Sequence, residues 1–304
     1  MLGPLRRSWR EGARPVMSRP RIGLALGGGG ARGYAHIGVL RVLQREGIPI
    51  DIVVGTSMGA IIGGAYAVGL EMTKLEQILG KLDLNKLLDI PASAVSSVAG
   101  RIAAELFTRT NWRRVEHEGT QNLCRFFSVF TRGLKFEDLK VQFAVVAADI
   151  DSGEEVVIRE GPVHRAIAAS ATFPGIHYPI KYGDRFLVDG GIVNKLPADV
   201  AARLGAEIVI AVEVNAPLAQ EVKNSIDVLT QAEMITGREL MRVKLESVRE
   251  QLGERLILLR PALDKISMLS LDEVSAAARE GEREAQKHLE RIKALLPQPS
   301  SHSF

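Results

Sequence analysis

An α/β fold built on a parallel sheet is what this sequence predicts, and three observations carry the prediction. Short apolar runs, RIGLAL at 21–26 and FAVVAA at 143–148, read as strands buried on both faces. Helical segments separate such runs: 35–45 repeats apolar residues at helical spacing, and 58–68 is apolar on most faces. Glycines cluster where strands end, at Gly27–Gly30, around Ser57, and at Gly190-Gly191.

The elements follow in order. Residues 21–26 form a buried strand feeding a tight glycine loop, and the helix 35–45 is closed by Gly47. A second strand spans 51–54, and the Ala/Gly/Ile-rich helix 58–68 is buried. Residues 75–140 read as mostly helical and irregular. The strand 143–148, a turn at Asp151-Ser152-Gly153 and a returning strand 155–159 come next. A helix at 163–170 precedes a strand at 185–188 that stops at Asp189-Gly190-Gly191. A helix at 197–204, a buried strand at 207–214, a long helix at 226–252 and a last strand at 256–259 follow. An amphipathic helix at 271–296 ends the pattern, and PQPSSHSF reads as frayed.

Composition narrows the function classes. The 304 residues are 46% hydrophobic and 25% charged, enough for one large domain or two smaller ones. Aromatics are only 5%, so aliphatic side chains and alanine must fill the core. The formal charge of +3 is unevenly placed. Arg6, Arg7, Arg10, Arg14, Arg19 and Arg21, against Glu11 alone, give residues 1–21 a charge of +5, so the remainder carries −2. Basicity confined to one end argues against a nucleic-acid partner. That end lacks the apolar core of a secretory signal; it reads as a disordered basic arm or a start placed upstream of Met17, in preference to an Arg-rich targeting segment. Cys124 is the single cysteine, which suits a reducing compartment. The longest apolar stretch, 59–70, is about 12 residues against the ~20 a membrane span needs. The expectation is a cytoplasmic protein, with membrane contact, if any, peripheral.

Three motifs carry chemistry. Gly55-Thr56-Ser57-Met58-Gly59 is a G-x-S-x-G between strand and helix, a nucleophile elbow that lifts Ser57 onto a helix N-terminus. The competing reading is a serine N-cap between small residues. Gly28-Gly29-Gly30-Ala31-Arg32-Gly33 also joins strand to helix, and its backbone N–H groups could cradle an anion. Its G-x-G-x-x-G spacing matches the dinucleotide fingerprint, but the next strand ends in Gly-Thr-Ser where an acid is wanted, with Asp51 at its start. Arg32 could brace this loop, the simpler reading, or meet an anionic head group. Asp189-Gly190-Gly191 alone would be an ordinary turn. At the end of a strand in a parallel sheet, it would place a carboxylate in the crevice where strand ends converge.

Together these motifs resemble the patatin-like phospholipase family, known for a glycine-rich oxyanion loop, a G-x-S-x-G elbow and a D-G-[GA] base, in that order. The resemblance covers about residues 21–215. It implies a three-layer α/β/α sandwich with a mostly parallel central sheet, and a Ser–Asp dyad of Ser57 and Asp189. It assigns Gly28, Gly29, Gly30, Ala31, Arg32 and Gly33 to the oxyanion hole and Gly55, Gly59, Gly190 and Gly191 to the elbow and base motifs. A further block, Ala169-Ser170-Ala171-Thr172-Phe173-Pro174, looks like the family's A-S-x-x-x-P segment, with no role derivable from sequence. The implied domains are a basic tail at 1–20, a catalytic domain at 21–215, and a helical extension at 216–304 packed on it. The implied activity is lipid acyl hydrolysis through an acyl-serine, on a lipid or ester substrate, without cofactor or metal. No His/Cys/Asp/Glu set has metal-ligand spacing.

Two alternatives remain at this level. One is a Ser–His–Asp esterase in which a histidine after Asp189, either His288 or His302, completes a triad. The other is a regulatory lipid-binding protein with weak hydrolysis. A segment rich in aromatics and arginines (Phe107, Arg109, Trp112, Arg113, Arg114, Arg125, Phe126, Phe127, Phe130, Arg132, Phe136) reads as a helical subdomain packed inward, or as a lid that meets lipid.

Overall fold

The computed structural model describes residues 19–81, 118–174, 177–215, 218, 222, 225–267 and 272–297. Most expected elements are present. They are β1 (Ile22–Leu26), α1 (Ala35–Arg45), β2 (Ile52–Thr56), α2 (Met58–Ala67), α3 (Met72–Leu79), α4 (Glu118–Phe130), β3 (Gln142–Asp149) and β4 (Glu155–Ile158). There follow α5 (Val163–Ser170), β5 (Ile180–Tyr182), β6 (Arg185–Asp189), α6 (Ala198–Arg203), β7 (Ile208–Val212), α7 (Ser225–Leu252), β8 (Leu256–Leu259) and α8 (Val274–Ala294). The short β5 escaped sequence reading. Three residues ending in an exposed lysine and a half-buried tyrosine carry too little apolar alternation to announce a strand.

The strands form one mixed sheet in which β3, β2, β1, β7 and β8 run parallel. Strand β1 lies between β2 and β7 and is buried along its whole length, as a central parallel strand should be. Alternate residues feed two cores. Ile22, Leu24 and Leu26 pack with α1, α2, α5 and α8, while Ala25, Ile52 and Val54 face α6 and α7. Helices thus cover both faces. Against α1, α8 packs at backbone distance: a Cβ on Gly38 would lie 1.8 Å from the Ala278 carbonyl, and one on Gly281 would lie 1.9 Å from that of Ala35.

The orientation of β6 departs from expectation. It is antiparallel to β3, not parallel to the other strands. Val145 and Val146 pair with β2 and β4 together, so those strands lie on opposite edges of β3. Ala147 and Ala148 pair with both β4 and β6, so β6 lies on the same edge as β2. Strand β2 leaves that edge at Thr56, opposite Val146. Strand β6 arrives from the far end and stops at Asp189, opposite Ala147. The two segments therefore meet head on, one register step apart. Convergence of parallel strand ends is not the cause.

At the N-terminus, Arg19 lies within the described residues and forks onto Asp51 at 2.7 and 2.9 Å. Asp51 also accepts the Ile22 N–H at 2.8 Å. This acid is a structural fastener at the foot of β1, tying Arg19 to the start of that strand. Among the described residues no helix is long and apolar enough to cross a membrane.

Candidate active site

Ser57 sits where buried β2 breaks into α2, with φ 54° and ψ −122°. A non-glycine residue with positive φ is uncommon and needs its surroundings to hold it there. Several contacts do so. The Ser57 N–H donates to Ser170 Oγ at 2.8 Å, and the Thr56 hydroxyl donates to the Asn194 carbonyl at 2.9 Å. The Ser57 carbonyl accepts the first helical N–H groups, from Ala60 at 2.8 Å and Ile61 at 3.1 Å. The flanking glycines are sterically required. A Cβ on Gly59 would lie 2.1 Å from the Leu26 carbonyl oxygen, and one on Gly55 would lie 2.4 Å from that of Gly59. This is an elbow against β1, and the N-terminus of α2 favours negative charge near Ser57.

The glycine loop lies directly beside it. A Cβ on Gly28 would come within 3.1 Å of the Ser57 Cβ. The Gly28 N–H is engaged, donating to the Lys195 carbonyl at 2.9 Å, and that of Gly27 donates to Val212 at 3.1 Å. Gly28 therefore shapes the loop and is not free to donate to an oxyanion, which narrows the expected set. Of the next residues, Gly29 caps and Gly30 opens a 3-10 turn over Gly30–Tyr34. N–H groups at that position are beyond reach of turn carbonyls, and these two have no backbone acceptor among the described residues. Ala31, Arg32 and Gly33 are buried within the turn. The Arg32 guanidinium is 2% exposed and donates to the carbonyls of Asn215, Leu263 and Ile266. It braces the loop against the C-terminal segment, buried away from the solvent a head group would come from. His36 adds a second brace, its Nε2 donating to the Gly27 carbonyl at 2.8 Å.

Asp189 closes the site. Its side chain accepts the Gly191 N–H at 2.7 Å, and the Ser57 hydroxyl lies close enough to lower its pKa. Burial dominates its chemistry and pushes the carboxyl up to about 6, while Ser57, Gly191 and the nearby Lys195 ammonium pull it back. Gly190 permits the approach, since a Cβ there would lie 2.3 Å from the Val146 carbonyl. A carboxylate poised near neutrality against a hydroxyl on a tight bend can accept that hydroxyl's proton.

Three contributors lie outside the three motifs, and of these only Ser170 fell in a block the sequence singled out, without a role. Lys195 is nearly buried, and burial lowers its own pKa while the negative charges of Glu233 and Asp189 work the other way. Asn194 is 1% exposed and its amide donates to Glu155 and Asp199, both at 2.7 Å, while its carbonyl holds Thr56. Ser170, inside the A-S-x-x-x-P block, is fully buried. All three look like ordinary polar positions until the fold buries them.

The triad alternative finds no support in the placement of its histidines. His288 lies on α8 with Nδ1 against the Glu284 carbonyl of its own helix at 3.1 Å, and His302 lies outside the described residues. The aromatic segment divides similarly. Phe127 is fully buried, and Phe126 and Phe130 stack beside it against the core, with ring centroids 5.2 Å (Phe126–Phe127) and 6.2 Å (Phe126–Phe130) apart. That half packs its aromatics against the core, whereas Phe107, Arg109, Trp112, Arg113 and Arg114 fall outside the described residues.

Comparison with known proteins bears on the family and the fold. The sequence profile described as Patatin-like phospholipase matches residues 24–202. An uncharacterized NTE family protein of Mycobacterium tuberculosis is 36% identical over 200 residues, covering 65% of this chain and 50% of that protein. A human patatin-like phospholipase domain-containing protein is 32% identical over 239 residues, covering 76% of this chain but 15% of the relative. A lysophospholipase of Kluyveromyces lactis is 31% identical over 66% of this chain and 13% of its own. The chain thus spans half or less of the length of these relatives. Among solved structures, VipD of Legionella pneumophila superposes with a TM-score of 0.52 at 13% identity, covering 91% of this chain and 67% of that one. Human GIVD cytosolic phospholipase A2 gives 0.50 at 12% identity, covering 91% and 59%. These two likenesses concern the fold.

Proposed function

The chain belongs to the patatin-like phospholipase family, and from that premise we propose that it is a lipid acyl hydrolase with Ser57 as nucleophile and Asp189 as base. The observation that carries the reading is the head-on meeting of the Ser57 elbow with the end of β6, which sets a buried carboxyl held near 6 beside the Ser57 hydroxyl. In the first half-reaction Asp189 takes the hydroxyl proton as Ser57 Oγ bonds to the ester carbonyl carbon. The negative charge passes to the carbonyl oxygen, where the N–H groups of Gly29 and Gly30 would receive it. Collapse breaks the ester C–O bond, and the proton on Asp189 passes to the departing alcohol. Water then attacks the acyl-serine with Asp189 again as base, releasing the fatty acid and restoring the serine.

A carboxylate is a weak base for a hydroxyl, and its burial supports this role. Desolvation outweighs the groups that pull the other way and leaves Asp189 at about 6 instead of 3.8, still largely ionised above that pH. The substrate class, a lipid ester, rests on the family and on the name of the lysophospholipase relative.

The test is hydrolysis of a short-chain chromogenic ester and of a lysophospholipid, with covalent labelling by a fluorophosphonate. Ser57→Ala and Asp189→Asn are expected to lose roughly 10³-fold or more in kcat. Ser57→Ala also loses the label, while His164→Ala and His288→Ala keep both. Collapse of activity at either histidine, or survival at Ser57→Ala, overturns the reading.

A further inference from the structure

Ser170 makes two hydrogen bonds from one buried hydroxyl. Its Oγ accepts the Ser57 N–H at 2.8 Å and donates to the Val146 carbonyl at 2.6 Å. The side chain is fully buried at the last residue of α5, 113 positions from Ser57 in the chain. Val146 stands opposite Thr56 in the sheet, so the bridge spans the point where β2 leaves the edge of β3. Two residues further on, the Thr172 carbonyl accepts the Asp189 N–H at 2.9 Å. One short turn after α5 therefore grips both segments that meet head on: the serine through Ser170 and the acid through Thr172.

The grip falls on a backbone that needs it. Ser57 holds a positive φ that its own preferences disfavour, and strained conformations persist only where neighbours over-determine them. Nothing within the elbow binds the Ser57 N–H, because it precedes the first turn of α2. We propose that Ser170 is a positioning residue, holding the backbone of Ser57 so that its hydroxyl stays on the Asp189 carboxyl. This gives the A-S-x-x-x-P block a physical task, and it rests on the Ser57–Asp189 reading above.

The proposal predicts a signature that a merely structural hydroxyl would lack. Removing Ser170 Oγ leaves the Ser57 amide untethered, and the hydroxyl drifts from Asp189. Small misplacements of a reacting group cost up to about 100-fold in rate, so Ser170→Ala should lower kcat by roughly 10- to 100-fold with KM little changed. The Ser57 hydrogen bond also pulls the Asp189 pKa down. Its loosening should move the rising limb of the pH–kcat/KM profile to higher pH, and Ser170→Thr, which keeps a hydroxyl, should bring both readouts back toward wild type.

The experiment uses the full chain with a short-chain ester, following kcat, KM, the pH profile and the rate of fluorophosphonate labelling. Thr131→Val is the control for stability. It deletes another fully buried hydroxyl, one that donates to the Phe127 carbonyl at 2.7 Å on α4. It should lower the melting temperature without moving kcat or the pH limb. Circular dichroism at the assay temperature confirms that each variant is folded. A folded Ser170→Ala enzyme with wild-type kcat and pH limb, beside an inactive Ser57→Ala, overturns the positioning role while leaving the dyad standing. Should Ser170→Ala fail to fold, Ser170→Cys, whose thiol bonds weakly, carries the same test, and a wild-type profile there is equally fatal. Activity that survives Ser57→Ala defeats the underlying reading instead.

Discussion

Burial at single residues governs the chemistry of this site. Desolvation lifts the Asp189 carboxyl toward the range of a base, and the Lys195 ammonium nearby works against that rise. On the proposed dyad the ionised form of Asp189 does the work, so kcat/KM should rise with pH through a midpoint of about 6 and hold above it. Replacing the ammonium by a neutral chain of similar length, Lys195→Met, removes a charge that favours the carboxylate. The midpoint should then move upward, and a pH–rate profile that stays put would deny Lys195 this role. Neither the acid's burial nor the lysine's was legible in the motif DGGIVNK. A sequence lists charges, but the distance between them and the water around them come from the fold.

At the scale of elements, glycines set how closely segments approach. The elbow presses on β1 at Gly59, and α1 meets α8 at Gly38 and Gly281. In each case a methyl would meet backbone oxygen, which cannot rotate away. Gly59→Ala and Gly281→Ala should each destabilise by about 3 kcal/mol or more, at the upper end of overpacking costs, as measured by urea denaturation. They should part in function: the first displaces Ser57 and abolishes activity, whereas the second loosens α8 and leaves residual rate in the folded fraction. Gly33 differs, because its neighbour is the Met58 side chain at 2.4 Å. Most elements were readable because their apolar spacing is strong, as in α1 and α5. The direction of β6 was not, since RFLVD reads the same whether its partner runs with it or against it. Only the register with Ala147 and Asp149 decides that.

For the whole molecule, two buried groups oppose each other in acid. His36 is enclosed beneath the glycine loop and burial lowers it from 6.5 to about 4. The unfolded chain therefore binds its proton first, and the stability contributed by neutral His36 is present above pH 6.5 and declines as pH falls toward 4. Asp189 works with the opposite sign. Its folded value of about 6 exceeds the ordinary 3.8, so the unfolded chain releases the proton first and stability falls as pH rises from 3.8 to 6. Each effect is on the order of 3 kcal/mol, from a shift of two units or slightly more. The carboxyls of Asp51 and Glu155 are held below their ordinary values of 3.8 and 4.5, so their contributions fade only below those values. Between about pH 4.5 and 6 the His36 and Asp189 slopes therefore oppose each other in the wild type, with half-buried His164 adding slightly on the side of His36. Asp189→Asn keeps an acceptor for Gly191 yet removes the titrating group. It should be inactive, more stable than wild type above pH 6, and increasingly sensitive to acid as the histidine slope is unmasked. Denaturation midpoints of the two proteins across this range give the difference directly. If the gap between them does not widen as pH rises from 4.5 to 6, Asp189 is not desolvated as described, and the case for it as a base weakens with it.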